Sequence, residues 1–222
     1  PLQFASLSGG SMLKTQRGLP LTLQSAPLRM FATGKLPDPR HKGKPGSGGT
    51  VVYGVSYVGC SSTQISTAGS AVVEARKYSE NSKGYLAGNL GQRYLTWFGA
   101  YNITRENTVK SNFSKIDTAM DQSAGQVKIN CGCNQNYYAY VYPSKPYEIF
   151  VCKAFWNAPL TGTDSKAGTL IHEMSHFSVV AGTDDHVYGQ TGAKNLAISD
   201  PARAIDNADN HEYFGENTPF QN

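Results

Sequence analysis

Apolar residues recur at helical spacing in two stretches of the chain. Ile65, Ala68, Val72 and Ala75 share one face of a helix that this spacing predicts from Ser62 to about Ser79. Val109, Phe113, Ile116 and Met120 stand at i, i+4, i+7 and i+11 and mark a second amphipathic helix. The pattern then shortens. Val127–Asn130, Tyr137–Tyr142 and Tyr147–Cys152 read as strands, with Pro143–Pro146 as the hairpin turn between the last two. A third helix is predicted to open near Thr163 or Asp164 as N-cap, to run through Thr169–Phe177 and to stop before Gly182. Gln190–Ala208 reads as helical with a break at Asp200-Pro201. Helices and strands are segregated rather than alternating, which predicts the α+β class.

The first 50 residues differ from the rest. Leu2–Leu7, Leu19–Gln24 and Leu28–Ala32 are β-like runs without evident partners, so residues 1–34 read as the remnant of a truncated domain. Residues 35–50 hold three Pro, four Gly and four basic residues, the composition of a linker and a site for proteolysis. Residues 1–50 carry 7 bases and 1 acid, or +6; residues 51–222 carry 13 bases and 15 acids, or −2. A nucleic-acid binder is expected to be basic on its folded body, and here the basic part is the arm. Two readings of the arm stand: a solvated tail, or a pro-segment docked on an acidic body.

Charged residues make up only 16% and glycines number 23, the balance of a loop-rich secreted protein. No apolar run is long enough to span a membrane, and no basic-then-apolar leader is visible. Together with a first residue that is Pro, this predicts a piece of a longer precursor whose targeting segment is gone. Cys60, Cys131, Cys133 and Cys152 form an even set, which in a secreted chain predicts two disulfides. Cys131 and Cys133 are two apart on one strand and so are expected to take different partners. A four-cysteine zinc site is disfavoured because no CxxC pair is present.

The sharpest chemical signal is His172-Glu173-Met174-Ser175-His176. On a helix, i and i+4 lie one turn apart on one face, so two imidazoles can converge on one Zn²⁺ at about 2.0–2.1 Å. Glu173 lies beside them as a base for an activated water. A catalytic zinc needs a third protein ligand. Downstream candidates are Asp184, Asp185, His186, His211, Glu212 and Glu216. A third His six residues after His176 is excluded, since that position is Gly182; a Glu from residues 177–211 is excluded, since none exists there. The Gly182–His186 turn remains, with an Asp well placed to fold back over the helix.

HExxH followed by Gly182-Thr183-Asp184-Asp185-His186-Val187-Tyr188-Gly189 resembles the signature of the aspzincin metallopeptidases, the deuterolysin family. The resemblance covers about 51–222. It includes the four cysteines, Trp97-Phe98-Gly99, Ala154-Phe155-Trp156 and Asn207-Ala208-Asp209-Asn210-His211-Glu212, the last most similar to the peptidyl-Lys branch. It implies a zincin-like domain with an active-site helix and a small antiparallel sheet, and one catalytic Zn²⁺ held by His172, His176 and Asp185. It implies Glu173 as base, Tyr188 as donor to the oxyanion, and disulfides Cys60–Cys131 and Cys133–Cys152. It also implies secretion as a zymogen and extends to secreted toxic bacterial members. On this reading residues 1–34 are a propeptide remnant, 35–50 an activation linker and 51–222 the peptidase domain. The partners expected are protein substrates and the chain's own propeptide, with no nucleic acid, and the enzyme is expected to be a monomer.

Asp209 and Glu212 are three apart and so share a helical face; they are the candidate S1′ pocket for a substrate lysine, cut on its N-terminal side. A strand, Tyr147–Cys152 or Tyr137–Tyr142, is expected to line the cleft. His186 reads as a surface residue or one lying behind the ligands, His211 as either a donor to a carboxylate or a structural residue, and the tyrosines at 137, 138, 140 and 142 as sheet surface. Asn102-Ile103-Thr104 and Asn112-Phe113-Ser114 are glycosylation sequons. The alternatives are a broad-specificity deuterolysin-like peptidase and a non-catalytic zinc module. The second is disfavoured because a structural site needs neither Glu173 nor Tyr188.

Overall fold

The computed structural model describes residues 50–222. Residues 1–34, read from sequence as a propeptide remnant, and the expected linker as far as residue 49 lie outside the described residues. The described chain opens on a hairpin, β1 (Thr50–Val52) paired antiparallel with β2 (Val55–Val58). Tyr53 and Gly54 form its two-residue turn with φ of 53° and 77°, the positive values that a tight hairpin turn demands. Gly54 also meets a neighbour: a Cβ there would lie 2.5 Å from the Ser123 Cα.

Helix α1 (Ser62–Ala87) starts in a capping box. Ser61 Oγ accepts from the Gln64 amide at 3.2 Å, and Gln64 Oε1 accepts from the Ser61 amide at 2.9 Å. The helix continues past Ser79 because its later turns bury Ser82 and Leu86, too few apolar positions to register as a periodic stripe. After α2 (Gln92–Phe98), α3 (Ile103–Met120) begins under Asn102, whose side chain accepts from the Thr104 and Arg105 amides. Of the two sequons, Asn102 is this exposed cap. Asn112 is 6% exposed, with its amide on His211, and is used inside the fold.

The sheet has the order β1-β2-β3-β5-β4, with β3 at Lys128–Asn130, β4 at Ala139–Val141 and β5 at Glu148–Val151. Its outer pairs are antiparallel, but β2–β3 and β3–β5 are parallel, so the sheet is mixed rather than wholly antiparallel. The physical reason is the long helical crossover from β2 to β3, which returns the chain in the same direction. The 143–146 hairpin then places β4 outside β5, at the edge. Tyr140 and Phe150 face each other across β4 and β5 with rings stacked 4.7 Å apart.

The remaining helices are α4 (Lys153–Asn157), α5 (Lys166–His176), α6 (Gly189–Ser199), α7 (Pro201–Ala204) and α8 (Ala208–Glu216). Asp200 separates α6 from α7 and caps α7. Helix α5 lies at the centre, packed against α1, α3, α8 and the strands β4 and β5. Every residue of α5 and of α8 is buried. The N-cap of α5 is Ser165, one residue after the expected position. The Glu216 carboxylate decides this, accepting from the Ser165 amide and hydroxyl at 2.8 Å each and from the Asp164 amide at 3.2 Å. Gly168 leaves the room for it, since a Cβ at 168 would collide with Glu216. A carboxylate at a helix N-terminus is favourable, and here it joins the two central helices.

The disulfides are Cys60–Cys131 and Cys133–Cys152. They tie the ends of β2 and β5 to the segment that follows β3. Among the described residues no helix is long and apolar enough to cross a membrane. The cysteine pairs span 71 and 19 residues, so chain-entropy arguments assign them about 4 and about 3 kcal/mol. Replacing Cys60 and Cys131 together by Ala is expected to lower the urea unfolding free energy more than replacing Cys133 and Cys152. The reverse order would contradict this assignment.

Candidate active site

The last two turns of α5 place His172 and His176 on one face, ring centroids 4.9 Å apart. Beyond His176 the chain reverses through Gly182, at φ 63°. The Thr183 amide then donates to the Ser175 carbonyl at 3.1 Å. This turn lays the 183–188 loop back along the helix. Asp185 arrives with Oδ1 3.3 Å from His172 Nε2 and Oδ2 3.2 Å from His176 Nε2. One nitrogen from each imidazole and one Asp185 oxygen lie within 4.8 Å of one another. Of the candidates for the third position, Asp185 is the one that faces both histidines. Asp184 turns its carboxylate to the Asp185 amide at 2.8 Å, and Glu216 is committed to the α5 cap.

The far side of each ring is also engaged. His176 Nδ1 donates to the Thr183 carbonyl at 2.7 Å. His172 Nδ1 faces Asp209 Oδ1 at 2.9 Å and Glu212 Oε2 at 3.2 Å. A carbonyl and a carboxylate only accept, so each ring carries a proton on Nδ1; when Nε2, which faces Asp185, gives up its own proton, the ring is left as the Nδ1–H form. That is the tautomer a metal requires, and such partners behind a ligating imidazole hold its orientation. Two imidazoles and one carboxylate also form the donor set suited to Zn²⁺. The residues present therefore fit a zinc ion.

Residues 86–216 match the model of the aspzincin family, described as lysine-specific metallo-endopeptidase. The chain belongs to the aspzincin family. It is 55% identical over 171 residues to an extracellular protease of Aeromonas hydrophila, which covers 76% of this chain and 49% of that protein. It is 48% identical over 167 residues to a peptidyl-Lys metalloendopeptidase of Pleurotus ostreatus, 74% of this chain and 98% of that one. The solved structure of a zinc peptidase from Grifola frondosa superposes with a TM-score of 0.70 at 43% identity, covering 73% of this chain and all of that one. The chain thus spans about half the length of the Aeromonas relative and nearly all of the Pleurotus relative.

The electrostatics of this aspzincin site follow from burial opposed by pairing. Burial pushes the imidazole of His172 down, but Asp185, Asp209 and Glu212 outweigh it and hold it well above the usual histidine range. His176 follows the same balance, with Asp185 raising it. Burial raises the Asp185 carboxyl, and the two imidazoles reverse this and hold it below its ordinary value. Protons therefore stand where a metal would, and metal binding must displace them. Tyr188, which caps α6, is held protonated by burial and then by the charges of Asp185, Asp209 and Glu173. The Glu173 charge also reaches the Tyr137 hydroxyl, after burial the largest influence on it.

The structure brings together His172, Glu173, His176, Asp185, Tyr188, Asp209 and Glu212. The last pair lies one turn apart on α8 as expected, but more deeply than a pocket wall: both are 0% exposed and both meet His172 Nδ1. His186 lies on the outer side of the loop, between Asp206 and Arg203. Sequence reasoning gave no role to the Thr183 carbonyl, to the Gly189 amide that donates to Asp209 Oδ2 at 2.6 Å, or to Asn207. Backbone groups carry no residue identity, and Asn207 was visible only as part of a family match.

His211 is structural and neutral. Its Nδ1 donates to the Asn207 carbonyl at 3.0 Å, and burial holds it down at about 4. Below the ordinary value near 6.5 the unfolded chain binds a proton here that the folded chain does not. Stability is therefore complete above about pH 6.5 and falls as pH drops toward 4, by about 3 kcal/mol for this group. Urea unfolding of the zinc-loaded protein is expected to show this fall, and His211→Gln to flatten it while lowering stability at pH 7.5. An equally steep fall in the variant would contradict the assignment.

Proposed function

We propose that this chain is the peptidase part of a secreted zinc endopeptidase that cuts proteins on the N-terminal side of lysine. The observation that carries the reading is the triad of His172, His176 and Asp185 with Glu173 beside it on the same buried helix. Zinc, when bound, supplies Lewis acidity, which makes water more acidic and a peptide carbonyl more electrophilic. Glu173 accepts the proton of the attacking water and delivers it to the leaving amine. Tyr188, held protonated, donates its hydroxyl to the oxyanion of the tetrahedral intermediate. The edge strand β4 offers its outer backbone to an extended substrate.

Lysine preference is supported by the charge of the site. Glu173, Asp185, Asp209 and Glu212 give −4 against +2 for zinc with neutral imidazoles, a surplus of −2. A slim lysyl stem ending in a compact ammonium suits a site as closed as that of Asp209 and Glu212, whereas arginine brings a wider planar fork. The Pleurotus relative is named a peptidyl-Lys enzyme, and the family description is lysine-specific. Two disulfides and a relative named as extracellular support secretion. The basic arm, +6 against −2, supports a zymogen in which residues 1–34 cover the acidic cleft until the linker is cut before Lys42.

Glu173→Gln is expected to keep fold and zinc while losing nearly all casein hydrolysis, and Tyr188→Phe to lose about 10²–10³ in rate. Hydrolysis at the parent rate by Glu173→Gln would remove the proposed base. Chelated protein should be inactive and should recover with added zinc.

Each carboxylate–ammonium contact is worth about 1.5–3 kcal/mol, or about 10–100-fold. Mass spectrometry of casein fragments should therefore show a strong excess of N-terminal Lys. Asp209→Asn and Glu212→Gln, which also remove partners of His172 Nδ1, should lower all cleavage, and cleavage before Lys further still. Fragments without that excess would leave the broad-specificity alternative standing.

A further inference from the structure

Asn207 is the residue just before α8, and it is 0% exposed. Its side-chain oxygen accepts from the His186 amide at 2.8 Å and from the Val187 amide at 3.2 Å. Its side-chain nitrogen donates to the Val187 carbonyl at 3.3 Å and to Asn210 Oδ1 at 2.7 Å. Both lone pairs and both amide hydrogens are used, so the side chain has one orientation. Asn210 cannot release it, since its own amide donates to the Trp97 and Ala193 carbonyls.

The backbone makes a second attachment. Asp184 and Asn207 form a parallel bridge, in which the Asp184 amide donates to the Asp206 carbonyl and the Ala208 amide to the Asp184 carbonyl. Asp185 therefore sits between two fixed points, Asp184 on the bridge and His186 on the Asn207 side chain. The same residue leads into α8, whose Asp209 and Glu212 meet the back of His172. It thus joins the loop in front of the histidines to the helix behind them.

We propose that Asn207 is a positioning residue that sets the Asp185–Tyr188 loop in its metal-binding geometry before zinc arrives. This rests on Asp185 being a zinc ligand. A loop held by five hydrogen bonds from one short segment has little freedom left to lose when the metal binds, so affinity is gained from preorganisation. The signature spacing from Asp185 to Tyr188 supplies the groups, and Asn207, distant in sequence, aims them.

The test measures zinc dissociation constants by chelator competition for the parent and for Asn207→Ala, Asn207→Asp and Asp185→Ala. Asn102→Ala, in the exposed cap of α3, controls for general loss of stability. Asn207→Ala should weaken zinc by about 10–100-fold. Asn207→Asp keeps the acceptors for His186 and Val187 but sets an oxygen against the Val187 carbonyl and Asn210 Oδ1, and should recover only part of that loss. The Asn102 variant should leave zinc affinity unchanged while melting earlier. Melting that falls in Asn207→Ala with unaltered zinc affinity overturns the proposal. Asp185→Ala separates the two readings. Affinity kept there overturns the ligand assignment itself; affinity lost there but kept in Asn207→Ala overturns only the clamp. If Asn207→Ala does not fold, hydrogen exchange on the parent decides. His186 and Val187 amides protected in the metal-free protein support the clamp, and amides protected only with zinc overturn it.

Discussion

His172 is gripped at both ring nitrogens. Asp185 stands 3.3 Å from Nε2, while Asp209 and Glu212 stand 2.9 and 3.2 Å from Nδ1, and the ring is 1% exposed. Three carboxylates around one buried imidazole are costly unless positive charge is shared among them. A proton or a metal must supply it, and the Nδ1 contacts fix which nitrogen faces the metal. Much of the surrounding architecture serves this arrangement. Helix α5 is wholly buried so that its histidines are held rigidly, and α8 is buried despite carrying Asp209, Asn210, His211, Glu212 and Glu216.

A centre this polar takes the place of apolar core. Its groups are satisfied by one another: Asn210 by the Trp97 and Ala193 carbonyls, His211 by Asn207 and Asn112, Glu216 by the α5 cap. Such a network is rigid when complete and weak when broken. The two disulfides and the apolar cluster around Val72, Phe113, Ile116 and Phe214 hold the elements that carry it. Zinc adds further stability, since a metal that binds only the folded chain stabilises it by mass action.

The sequence was most legible where apolar spacing or a motif was present. Ile65, Ala68, Val72 and Ala75 located α1, and Val109 to Met120 located α3, because those faces pack directly on the core. HExxH with the Gly-Thr-x-Asp-x-x-Tyr-Gly run pointed to the cluster of His172, His176 and Asp185, which the fold brings together. Helix α8 was legible only as an acidic turn, because its buried face is polar and leaves no hydrophobic stripe. The parallel pairing of β2 with β3 was hidden because strand direction depends on the crossover, not on strand composition. The depth of Asp209 and Glu212 was hidden for a similar reason: charge in sequence suggests exposure, and only the fold shows His172 as their partner.

Among the described residues two clusters offer three metal-ligating groups each: His172, His176 and Asp185, and His172, Asp209 and Glu212. They share His172 but use its two different ring nitrogens, so the position of the zinc decides the account. Crystals of the zinc-loaded protein, measured at the zinc absorption edge, should show one anomalous peak. It should lie about 2.0–2.1 Å from the Nε2 atoms of His172 and His176 and about 2.0–2.2 Å from an Asp185 oxygen, with Glu173 uncoordinated. A peak on the Nδ1 side of His172, among Asp209 and Glu212, would contradict it.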